Sequence, residues 1–128
     1  MRDALLVFLG AGLGGVLRHG VNLAAFRAFG PALPVGTLAA NVAGSFLMGL
    51  LAGVLALRAG AGGTEPARLF LATGLLGGFT TFSAFSLDAA LLWERGEGGL
   101  AALYVAASVI LSLLALAAGL WAVRVLTS

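Results

Sequence analysis

Gly74-Leu75-Leu76-Gly77-Gly78-Phe79-Thr80-Thr81-Phe82-Ser83-Ala84-Phe85-Ser86 is the stretch on which the architecture of this chain turns. A glycine pair followed by two β-branched threonines is a poor sequence for the middle of a helix. One explanation is tight packing of small residues. The other is a helix break, whose freed carbonyls and amides must find partners. At membrane depth those partners lie within protein or beside a water-filled cavity, and unwound carbonyls of this kind can hold a cation. Beyond the threonines, Phe82 and Phe85 share a face at i, i+3 and are flanked by Thr80, Thr81, Ser83 and Ser86. An ordinary membrane helix would offer such rings to lipid or core, but the surrounding hydroxyls make these two less ordinary.

The rest of the chain shows why membrane depth is the right frame. Of 128 residues, 61% are hydrophobic, and the charges amount to seven arginines and five acidic residues. Soluble domains carry about a quarter of their residues as charge, and a chain this short could not bury so much apolar surface in water. At roughly 20 residues per crossing, four apolar segments fill the length, at about 4–26, 35–57, 67–93 and 98–123. They are divided by Gly30-Pro31-Ala32-Leu33-Pro34, by the glycine-rich 59–66 loop and by Trp93-Glu94-Arg95. The expected fold is an all-α integral membrane protein of one domain, with both termini on one side. The apolar run after Arg2 lacks a small-x-small cleavage site and is expected to be the first helix of the mature protein.

This arithmetic excludes several functions. No extramembrane domain fits, so a conventional soluble active site, and with it an enzyme, is not expected. The arginines form no run or stripe, which argues against nucleic-acid binding. There is no cysteine, and the single His19 cannot build a metal site within one subunit. Arginines near the ends split four to two, with Arg2, Arg58, Arg68 and Arg124 against Arg27 and Arg95. So weak a bias allows insertion in both orientations, and an inverted pair would have the symmetry that other transporters obtain from internal repeats.

Polar residues inside the spans carry the remaining signal. Thr37, Asn41 and Ser45 form one stripe at i, i+4, i+8 on the second helix, and Tyr104, Ser108 and Ser112 repeat the device on the fourth. Asn41 either bonds across a helix interface or offers its amide donors to a polar path; serines are often spent on their own i−4 carbonyls, yet two stripes suggest a shared aqueous track. Arg18, with His19 and Asn22, lies one to two turns before the end of the first helix. It either snorkels to the surface or forms a cationic mouth that concentrates anions. No carboxylate occupies the middle of a span; Asp88 lies two turns beyond Phe82.

Along essentially its whole length the chain resembles the Fluc (CrcB) family of small bacterial fluoride channels. The likeness rests on Gly14-Gly15 with Arg18, on Gly36-Thr37-Leu38 with Asn41 and Gly44-Ser45-Phe46, and above all on Gly77-Gly78-Phe79-Thr80-Thr81-Phe82-Ser83 with Phe85-Ser86. Departures are Leu75-Leu76, where a cysteine is frequent, Ala84 in place of a threonine, and Asp88 in place of a glutamate. The resemblance implies a dual-topology, antiparallel homodimer in the bacterial inner membrane, with the third helix broken mid-membrane. It implies passive fluoride export through two pores, and a structural sodium ion held by the carbonyls of Gly77 and Thr80. The implied fluoride path uses Asn41, Phe82, Phe85, Ser83, Tyr104, Ser108 and Ser112, with Arg18 at the vestibule. The rival is a small dual-topology, proton-coupled exporter of the multidrug or guanidinium type. That chemistry needs a carboxylate within the membrane core, and the first helix has only Asp3, at its start.

Overall fold

The structure, a computed structural model, describes residues 1–128. It is all helical, with four helices long and apolar enough to cross a membrane: Arg2–Phe29, Val35–Leu57, Glu65–Glu94 and Gly98–Leu126. The first and last run a few residues past their apolar cores, because helical hydrogen bonds are satisfied within the segment wherever it emerges. The first stops where Gly30 takes φ 75° and its N–H bonds back to the Phe26 carbonyl. Only glycine accepts that conformation without strain, and Pro31 then prevents the helix resuming.

The third segment is composite. One turn, Glu65–Ala67, leads into a π-helical stretch, Arg68–Leu76, and a further turn, Gly77–Phe79. Thr80 and Thr81 are extended (ψ 157° and 118°), and a new helix runs over Phe82–Glu94. The glycine pair itself is helical, with Gly77 at φ −62°, ψ −38°. Its use is contact: a Cβ on Gly78 would meet the backbone of Ala11. The chain leaves the helix at the threonines, whose side chains can replace helical partners.

The four segments associate as two close pairs. The first helix lies against the N-terminal part of the third segment, and the second lies against the fourth. Both crossings bring backbones together through small residues, the packing that membranes favour when hydrophobicity cannot drive association. A Cβ on Gly14 would strike the Leu75 carbonyl oxygen, and one on Gly49 would strike that of Leu116. Gly14→Val should therefore abolish the monodisperse folded protein, judged by gel filtration after extraction. Gly12→Ala, at a position open for 4 Å, should leave it intact and gain up to about 1 kcal/mol of helix propensity.

The C-terminal half of the third segment packs on the fourth helix, where Phe85, Leu92, Ala101 and Tyr104 make a small core. Only 17 of 128 residues are buried, while Phe8, Val16, Phe29, Leu113 and Trp121 lie largely exposed. Water would not tolerate that surface; the outward faces of these helices are made for lipid or for another protein.

Candidate functional site

The extended threonines set the geometry of the site. In a continuous helix the Thr81 N–H would close on the Gly77 carbonyl. Instead it donates to Asn41 Oδ1 at 2.7 Å, and Asn41 Nδ2 donates to the Thr81 carbonyl at 3.0 Å. One carboxamide thus pairs with both backbone groups of one residue, much as a neighbouring strand would. Thr80 turns back, its N–H and its Oγ1 both donating to the Leu76 carbonyl. Thr81 Oγ1 accepts from the Ala84 N–H at 3.1 Å and so caps the helix that follows, as threonine does at many N-termini. Ala84 is the residue whose N–H would have served the Thr80 carbonyl. Arg18 Nε donates to the Gly78 carbonyl at 3.2 Å.

Beside the threonines lies an open groove of about 410 Å³ between the second helix, the third segment and the fourth helix. Its walls bring together Asn41, Thr80, Phe82, Phe85, Ser108 and Ser112 from segments distant in sequence. Ser108, one of the lining residues, has its Oγ buried without a hydrogen-bond partner from the protein, and such groups in a folded protein call for an explanation. The Phe82 and Phe85 rings stand 5.3 Å apart, tilted by 55°. Phe85 is buried, whereas Phe82 is 77% exposed. No Asp, Glu, Lys, Arg or His lines the groove.

Other residues singled out from sequence take different places. Tyr104 lies behind Phe85, with ring centroids 5.5 Å apart, and donates its hydroxyl hydrogen to Asp88 Oδ2 at 3.1 Å. Ser83 is outside the groove wall, its Oγ 3.2 Å from Thr81 Oγ1. Arg18 and Gly77 are likewise not part of that wall. Three residues named from the sequence take roles that it did not assign. Thr81 was legible as a cap, since a threonine precedes a helical run. Asp88, noted there only for its position, is the acceptor for Tyr104. Gly44 is legible as a small residue that allows close approach, but not that the Thr80 methyl and the Phe79 ring are what it admits.

The model of the CrcB-like protein, Camphor Resistance (CrcB) family matches residues 5–120. The chain belongs to the CrcB family. Its relatives include the fluoride-specific ion channel FluC 2 of Nitrobacter hamburgensis, 60% identical over 96% of this chain and 98% of the relative. Fluoride-specific ion channel FluC of Rhodopseudomonas palustris is 56% identical over 96% of this chain and 98% of its own. The protein of that name from Cereibacter sphaeroides is 58% identical over 94% and 93%. As a CrcB protein with four apolar helices, the chain is a multi-pass bacterial membrane protein, and its family is one of ion channels rather than enzymes.

Proposed function

We propose that the chain is a fluoride-selective channel that releases fluoride passively from the cytoplasm. The observation that carries this is the groove wall: serine hydroxyls, the unpaired one of Ser108 among them, the Asn41 amide and aromatic rings, with no titratable side chain. Fluoride is small and strongly hydrated, so a pore must replace its water with several donors. Ser108, Ser112 and the remaining Asn41 N–H supply them without a fixed cation that would trap the ion. Phe82 and Phe85 add ring edges, the positive rim of the aromatic quadrupole. Each is a weak contact, which suits an ion that must enter and also leave. The helix that restarts at Phe82 contributes its N-terminal dipole beside the groove. Proton-coupled export would require a carboxylate in this wall, and none lines it.

In this reading the third helix is broken mid-membrane, and the chain works as an antiparallel, dual-topology homodimer. The groove is open, and a second, inverted copy would close it. The near-balanced arginines and the exposed apolar helix faces favour the same arrangement. Tyr104 and Ser83 flank the path rather than wall it, and Arg18, tied to Gly78, stands by its vestibule. The sodium ion implied by the family is tested by the donors at hand. The carbonyls of Gly77 and Thr80 have both lost the N–H that a continuous helix would give them, since Thr81 N–H serves Asn41 and Ala84 N–H serves Thr81. Two such carbonyls fit a hard monovalent cation. Bound there, sodium would satisfy these oxygens by ion–dipole attraction.

The test is fluoride release from proteoliposomes, followed with a fluoride electrode under a fluoride gradient. Rapid efflux without a proton gradient, with little chloride efflux, is expected. No efflux, or efflux that needs a proton gradient, overturns the proposal.

A further inference from the structure

A second, smaller pocket of about 190 Å³ lies between the start of the second helix, the end of the third segment and the start of the fourth helix. Leu33, Leu38, Leu92, Leu100 and Leu103 make most of its wall, joined by the buried Tyr104. If each methylene takes about the 30 Å³ of a water molecule, the volume accepts roughly six of them.

A charged pair stands beside the pocket wall, with the Glu97 N–H bonded to the carbonyl of the wall residue Leu92. Arg95 Nη2 donates to the Ala32 carbonyl at 3.1 Å, next to Leu33 in the wall, and Arg95 Nε stands 3.5 Å from Glu97 Oε1. Both side chains remain nearly half exposed, and Glu94 lies beside Arg95 in the chain. The pair is bracketed by wall residues on each side, Leu92 before it and Leu100 after it. A guanidinium keeps unused donors after two bonds, and a carboxylate keeps an unused oxygen. The pocket therefore has one cation and one anion side by side next to its wall, in the turn between two helices, where lipid head groups lie.

We propose that this pocket binds one phospholipid whose head group carries both a phosphate and a primary ammonium. Its phosphate sits on Arg95, its ammonium on Glu97, and one acyl chain enters the leucine-lined pocket as far as Tyr104. An anionic head group would match Arg95 but meet the carboxylates of Glu97 and Glu94. A quaternary ammonium would match the charge but bring no N–H to donate, whereas a primary ammonium has three donors for charge-assisted bonds.

The experiment is native mass spectrometry of the full-length protein in mild detergent, equilibrated with equimolar phosphatidylethanolamine, phosphatidylcholine and phosphatidylglycerol of matched chains. Retention of phosphatidylethanolamine at least tenfold above the other two is expected. Ala107→Phe, which fills the pocket, should remove that retention. Should Ala107→Phe not fold, Leu103→Trp at an exposed wall position serves the same end. Glu97→Gln should abolish the preference over phosphatidylcholine. Equal retention of the three lipids overturns the head-group assignment. Retention unchanged by Ala107→Phe or Leu103→Trp overturns the site. A disulfide joining two copies through Leu103→Cys overturns the lipid in favour of a second chain covering the pocket.

Discussion

Replacing Asn41 by aspartate should lower fluoride efflux by on the order of a thousandfold, while Asn41→Ser should retain intermediate flux. Two effects of the carboxylate act together. First, aspartate cannot donate to the Thr81 carbonyl, so a carboxylate oxygen faces a carbonyl oxygen where a 3.0 Å hydrogen bond stood. A buried acceptor stripped of its donor costs about 1–3 kcal/mol, and the extended threonines lose the clasp that holds them. Second, a negative charge enters the wall of an anion path. At about 4 Å and an intermediate dielectric it repels a passing anion by about 4 kcal/mol, close to three decades in rate. Serine loses the clasp but adds no charge. Efflux from proteoliposomes, normalised to incorporated protein, separates the variants. Equal flux from the two would place Asn41 outside the path.

Phe82→Ile should cut fluoride efflux by more than tenfold without changing the elution or thermal stability of the protein. The separation of the two effects follows from exposure. Phe82 is 77% exposed within the chain, so little of the fold rests on its ring, and isoleucine keeps the apolar bulk while removing the aromatic edge. Phe85 offers no such separation. It is packed between Phe82 and Tyr104 in the small core, and truncating a buried phenylalanine costs about 3–5 kcal/mol. Loss of flux in Phe85→Ala would therefore report unfolding as readily as a lost contact. Unchanged efflux in Phe82→Ile would remove that ring from the ion path.

The stripe on the second helix brings two of its three residues to the groove, Thr37 lying buried outside it, and of the two uses open to Asn41 the bond across a helix interface is observed. Its spacing put Thr37, Asn41 and Ser45 on one face, and Asn41 and Ser45 do line the groove. That the Asn41 carboxamide spends one donor and its acceptor on Thr81 was not legible, because its partner lies 40 residues away. The same holds for the glycines. Gly77-Gly78 reads locally either as tight small-residue packing or as a helix break; both residues are helical, and the close approach of Ala11 at Gly78 rewards the missing Cβ more than backbone entropy penalises it. The fourth-helix stripe divides similarly: Ser108 and Ser112 reach the groove, while Tyr104 turns to Asp88.

What the sequence determined by itself is the solvent, the number of crossings and the absence of a mid-span carboxylate. These are sums and periodicities along the chain, and each is set by how apolar a segment is against the thickness of a bilayer. The CrcB motif belongs with them, since it is a local string. What only the tertiary structure decided is which polar groups are spent and which are left over. Asn41 holds Thr81, Arg18 holds Gly78, and Ser108 keeps its hydroxyl free. A hydrogen-bonding group has few partners to satisfy, and which of them it meets depends on how closely two glycine-bearing helices can approach, a distance written in no single segment.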